Sequence, residues 1–133
     1  MRPHEFALKI VPVRPPLLRD KRLRNHVVAL PLDVTNEGPH AIVGGDILFA
    51  PRLYAVLELE DGSTVDPRLP DLALLPPNGL KKGETGRVTL TFRVPREPIK
   101  RVLVKARVPW LYYEHPPFTV ATLEIPEDDA DGR

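Results

Sequence analysis

From Arg87 to Pro95 the chain alternates strictly, with Val88, Leu90, Phe92 and Val94 at every second position and Arg87, Thr89, Thr91 and Arg93 between them. A period of two puts the apolar set on one face of an extended strand and the polar set on the other, and a helix cannot satisfy it. A second row follows at once in Val102, Val104, Ala106 and Val108, joined to the first through Pro95 to Pro98. Upstream, Val28, Leu30, Leu32 and Val34 form a third row that ends in Thr35-Asn36-Glu37-Gly38. Lys82-Gly83-Glu84-Thr85-Gly86 is a turn that launches the Arg87 strand, and Asp61-Gly62 is a hairpin signal after the half-buried run Tyr54 to Glu60.

Around these rows, proline and glycine punctuate the remainder. Phe6 to Val11 reads as a first strand, which Pro12, Pro15 and Pro16 break off because proline donates no ladder hydrogen bond. Leu17 to Asn25, with Arg19, Lys21, Arg22 and Arg24 against Asp20, reads as a solvated basic loop. Pro31 lies within the His26 to Thr35 strand and argues for an edge position or a bulge. Ala41 to Val43 and Ile47 to Phe49 are short apolar pieces around Gly44-Gly45-Asp46, and Asp66 to Gly79 reads as a long proline-rich loop anchored by leucines. Phe118 to Ile125 is the last strand. The expectation is an all-β chain, a sandwich of about seven or eight antiparallel strands spanning residues 1–126, followed by an acidic disordered tail, 127–133.

The chain has 133 residues, enough for one domain that buries roughly two thirds of its unfolded surface without staples. It has no cysteine, which excludes disulfides, a thiol nucleophile and thiolate metal sites. It also has no glutamine, seventeen prolines, and thirteen arginines to six lysines, a composition expected of a thermostable protein. No run approaches the roughly 18 apolar residues of a membrane span, and Met1 to Glu5 shows no leader pattern. The chain as given reads as cytoplasmic, or as extracytoplasmic if a leader has been removed.

Val34-Thr35-Asn36-Glu37-Gly38, Asp61-Gly62, and Leu80-Lys81-Lys82-Gly83 running through Val88 to Pro95 together resemble bacterial immunoglobulin-like domains of unknown function, a group common in secreted proteins and lipoproteins. The resemblance covers about residues 26 to 108. It implies an immunoglobulin-like β-sandwich with an accessory or binding role and no catalytic residues. The leader or lipid-attachment cysteine usual in the group is missing here.

Chemistry-bearing residues are sparse. Ser63 is the only serine and has no nucleophile elbow around it. His4, His26, His40 and His115 lack zinc spacing. Asp61, Asp66 and Asp71 fall short of the roughly six to eight oxygens calcium takes and read as turn aspartates. Gly44-Gly45-Asp46 has no phosphate-loop lysine, and Pro12 to Pro16 reads as a rigid connector. No catalytic residue, cofactor or metal site is expected.

Two candidate binding surfaces remain. Burying the apolar rows turns Arg87, Arg93, Arg101, Lys105 and Arg107 outward, and if their strands pair they form one basic face, with nine Lys or Arg between 81 and 107 in a chain of net charge +1. That face suits nucleic acid, an acidic polysaccharide or an acidic protein; the alternative is a solvated face partly neutralised by the tail acids. The second is the segment Trp110 to Phe118, with Trp110, Tyr112, Tyr113 and His115, which either anchors a partner or closes the core. The expected function is a non-catalytic module, monomeric or weakly dimeric, that recognises a protein partner through this segment; the alternative is polyanion or nucleic-acid binding through the basic face.

Overall fold

The computed structural model describes residues 7–42, 52–65, 73–74, 79–107 and 118–126. They form β1 (Leu8–Pro12), β2 (Val27–Asn36), β3 (Arg52–Leu59), β4 (Thr64–Val65), β5 (Ala73–Leu74), β6 (Thr85–Arg93), β7 (Ile99–Arg107) and β8 (Phe118–Glu124), plus one 3-10 turn at Lys21–Leu23. Two antiparallel sheets result. One has the order β1-β2-β6; the other has the order β4-β3-β7-β8, with β5 also paired to β3. The all-β expectation and the sandwich architecture hold.

The alternating rows line the space between the sheets. Leu30, Leu32 and Val34 of β2 and Val88, Leu90 and Phe92 of β6 are buried from one side. Leu53, Leu57 and Leu59 of β3, Val102, Val104 and Ala106 of β7, and Leu123 beside β7 are buried from the other. Each of the leucines, valines and the phenylalanine among them contributes about 1.5–3 kcal/mol on leaving water, so these rows dominate the energetics of folding. Two ladder shifts adjust the second sheet: Lys100 is the extra residue between the Glu58–Arg101 and Leu59–Ile99 pairs, and Val120 between Val104–Ala121 and Lys105–Thr119.

The turns follow local chemistry. Gly62 adopts φ 92° in the β3–β4 hairpin, where its N–H donates to the Leu59 carbonyl at 3.0 Å, and Asp61 accepts from the Ser63 N–H at 2.9 Å and its hydroxyl at 2.6 Å. Those two bonds hold the Asp61 carboxyl below its ordinary value. Gly83, at φ 81°, makes the turn into β6.

Several expectations need correction. β6 and β7 do not pair: β6 lies against β2 from Val27–Arg93 to Thr35–Thr85, and β7 lies between β3 and β8. The 94–98 link therefore crosses from one sheet to the other, because pairing β6 with β7 in one sheet would leave the β2 row without its partner. Leu17 to Asn25 is not simply a solvated loop. Leu18 is buried, and the Arg19 guanidinium reaches the opposite sheet, where Nε donates to the Ile99 carbonyl at 3.0 Å and Nη2 meets Glu60 at 2.8 Å. Pro31 sits in the central strand of its sheet, without a bulge. Its carbonyl accepts the Val13 N–H at 3.0 Å, so its missing N–H faces the point where β1 ends.

β1 begins at Leu8, and Phe6 lies outside the described residues, as do Gly44-Gly45-Asp46, Ile47 to Phe49, and the tail 127–133. Within the expected 66–79 loop, Ala73–Leu74 pairs with β3 at Arg52 and Leu53. Just beyond it, Leu80 bridges to Ile42.

Candidate functional site

With the inner rows buried, the outer face of the second sheet is built row by row across β3, β7 and β8. Its first row is Glu58–Arg101–Glu124. Arg101 Nη1 donates to Glu58 at 2.8 Å and Nε donates to Glu124 at 3.2 Å, and the Glu58 hydrogen bond leads the causes that push the guanidinium pKa above its usual value. The second row, Val56–Leu103–Thr122, is uncharged. The third pairs Tyr54 with Lys105 and Lys105 with Thr119, and the fourth sets Arg52 directly opposite Arg107. Lys105 and Arg107 make no ion pair among the described residues. Lys105 and Arg107 therefore place positive charge at the end of the sheet where β7 finishes, while Arg101 toward the opposite end is ion-paired on both sides.

The outer face of the three-stranded sheet differs. Arg87 lies 3.2 Å from Asp33, its cross-strand neighbour on β2. Arg93 donates to the Asn25 carbonyl. Between them stand Thr89, Thr91, Ala29 and Pro31, and the Thr35 and Thr85 hydroxyls are 2.6 Å apart.

The single basic face expected from the sequence is thus not formed. Arg87 and Arg93 stand on one side of the molecule, and Arg101, Lys105 and Arg107 on the other, because β6 and β7 belong to different sheets. Nor do the 19–24 cations extend it as a block: Arg19 is a strut to the second sheet, and Arg22 is held by Asp20 at 2.8 Å. Trp110, Tyr112, Tyr113 and His115 lie outside the described residues. Arg52 and Tyr54 were missed by sequence reasoning; only the register of β3 against β7 brings them beside Arg107 and Lys105.

Among the described residues no group of acidic or histidine side chains is arranged to hold a metal ion, and no helix is long and apolar enough to cross a membrane. Ser63 is committed to the Asp61 turn, while Asp66 and Asp71 fall outside the described residues. Compared with known proteins, the chain matches no described family, no curated protein and no solved structure at a significant level.

Proposed function

We propose that this chain is an immunoglobulin-like, non-catalytic binding module that engages an acidic surface of a protein partner through the cationic end of the β3–β7–β8 face together with the Trp110 to Phe118 segment. The orders β1-β2-β6 and β4-β3-β7-β8 support the immunoglobulin-like reading, since they correspond to strands A-B-E and C′-C-F-G of such sandwiches. The observation that carries the functional reading is the contrast along β7. Arg101 is neutralised from both sides, whereas Lys105 and Arg107 are left without ion pairs among the described residues, with Arg52 opposite Arg107. Arg107 also precedes Trp110 closely in sequence, so one partner surface can meet both.

The test is binding of polyglutamate, an acidic polysaccharide and single- and double-stranded oligonucleotides at about 50 and about 200 mM salt, read by Trp110 fluorescence. Salt-sensitive polyglutamate binding that is lost in Lys105→Glu/Arg107→Glu, weakened in Tyr112→Ala and retained in Arg87→Glu/Arg93→Glu is the expected result. Oligonucleotides outcompeting polyglutamate would replace the protein partner with nucleic acid. Equal loss in the two double variants, or no binding at the lower salt, would overturn the reading.

A further inference from the structure

β1 accompanies only half of β2. The ladder runs from Leu8–Asn36 to Pro12–Leu32 and ends at the Val13 N–H to Pro31 carbonyl bond. On β2 the even-numbered residues exchange hydrogen bonds with β6, as the Val94 N–H to His26 carbonyl and Asn36 N–H to Glu84 carbonyl bonds fix. The odd-numbered residues therefore point their main-chain groups toward the β1 side. Beyond Val13 this leaves the N–H and C=O of Ala29 and Val27 on an open edge, with no backbone partner among the described residues.

A groove of about 600 Å³ runs beside this edge, between β2 and the connection that leaves β1. Pro15, Leu17, Leu23, Val28 and Pro31 are among its walls, and Arg14 is its only charged lining residue. Arg14 is exposed and has no ion pair among the described residues. The large apolar side chains that stand exposed among the described residues are Val11 (45%), Leu17 (52%) and Val27 (49%): one at the end of β1, one in the groove wall and one on the open edge. Natural sheets usually blunt such an edge with charge or cover it. Here apolar surface, free main-chain groups and a single cation coincide.

We propose that an extended segment of a partner protein adds as a strand to β2 over Val27–Pro31, continuing the place β1 vacates. Its main chain pairs with Val27 and Ala29, alternate apolar side chains enter the groove, and a carboxylate meets Arg14. Such strand addition draws affinity from the main chain and selectivity from the side-chain pockets. Pro31, whose carbonyl is already taken by the Val13 N–H and which has no N–H of its own, sets the limit of the added strand. This surface is independent of the cationic end of the second sheet.

The test is selection of displayed random short peptides on the full chain, followed by NMR amide exchange with the recovered peptides. Expected are sequences with alternating apolar residues and an acidic one, protection of the Val27 and Ala29 amides, and affinity falling about tenfold or more in Ala29→Pro. That variant removes an N–H from the open edge without breaking a bond to β6, and its folding is checked by its unchanged NMR spectrum elsewhere. Leu17→Glu and Arg14→Glu provide second variants that leave the backbone alone and are expected to weaken binding as well. Lys105→Glu/Arg107→Glu should bind the same peptides unchanged. Recovery of no peptide that distinguishes the chain from Ala29→Pro and Leu17→Glu, or protection mapping to β8 or β4 instead, would overturn the proposal. So would the same amides becoming protected with rising protein concentration alone, which would make a second copy the occupant.

Discussion

Asn36 is only 1% exposed and is the one polar side chain buried in the core region among the described residues. Its Nδ2 donates to the His40 carbonyl at 2.8 Å and to the Leu80 carbonyl at 3.1 Å, and its Oδ1 accepts the Gly38 N–H at 2.9 Å. Its own N–H and C=O pair with Glu84 and Gly83. One residue thus closes β2, shapes the following turn and fixes the approach to β6, which is the physical content of the Asn-Glu-Gly signature at this strand end. Asn36→Ala leaves the buried Gly38 N–H unpaired, and the expected cost is about 2–3 kcal/mol. It is to be read as a lower urea midpoint with an unchanged slope. Asn36→Asp should cost more at neutral pH, because it turns a carboxylate toward two carbonyls. Burial raises that carboxyl's folded-state pKa, so the folded state binds the proton more readily and the deficit shrinks as pH falls. An Asn36→Ala midpoint equal to the parent's would remove the residue from this role.

At the scale of elements, what was legible in the sequence was what neighbours in the chain decide. The Asp61-Gly62 hairpin follows from two residues: the aspartate accepts from Ser63, and the glycine takes φ 92°. A Cβ on Gly62 would meet nothing within 4 Å, so the cost of Gly62→Ala is backbone strain alone, about 1–2 kcal/mol, with Gly62→Asn expected to lose less. Thermal or urea unfolding of both variants checks the order, and equal losses would point to the side chain instead. The inward rows of β2, β6 and β7 were legible for the same reason, since alternation needs no knowledge of the partner. The partner itself was not. Consecutive strands are neighbours in roughly two thirds of cases, and the short link from Val94 to Pro98 invites a hairpin, yet β6 pairs back to β2 across some fifty residues, as the Thr35–Thr85 pair illustrates. The single basic face depended on β6 pairing with β7, and the actual pairing divides it between two sheets and brings in Arg52 and Tyr54. The Arg19 strut was hidden likewise, because a run of cations gives no sign of which one turns inward to Ile99 and Glu60.

For the molecule as a whole, composition and structure bear on the same quantity from opposite states. Seventeen prolines restrict the unfolded chain, and Pro31 sits where its missing N–H does no damage, at the end of the β1 ladder. In the folded state, arginine is used where its fork can serve more than one acceptor: Arg101 joins Glu58 and Glu124, and Arg19 joins Ile99 and Glu60. Such linked charges gain relative to isolated pairs as temperature rises, because the hydration of ions becomes less favourable. Without cysteine or glutamine, the chain also lacks two of the side chains that fail first in heat. The expected outcome is a calorimetric midpoint above the roughly 45–65 °C in which ordinary domains cluster, insensitive to reductant. Arg101→Ala and Arg19→Ala should each lower that midpoint, and should lower it more than Arg93→Ala, whose contact is a single carbonyl. A parent midpoint within the ordinary range would mean that the arginine and proline content reflects codon usage rather than selection for heat. The three variants would then still rank the struts by what each one holds together.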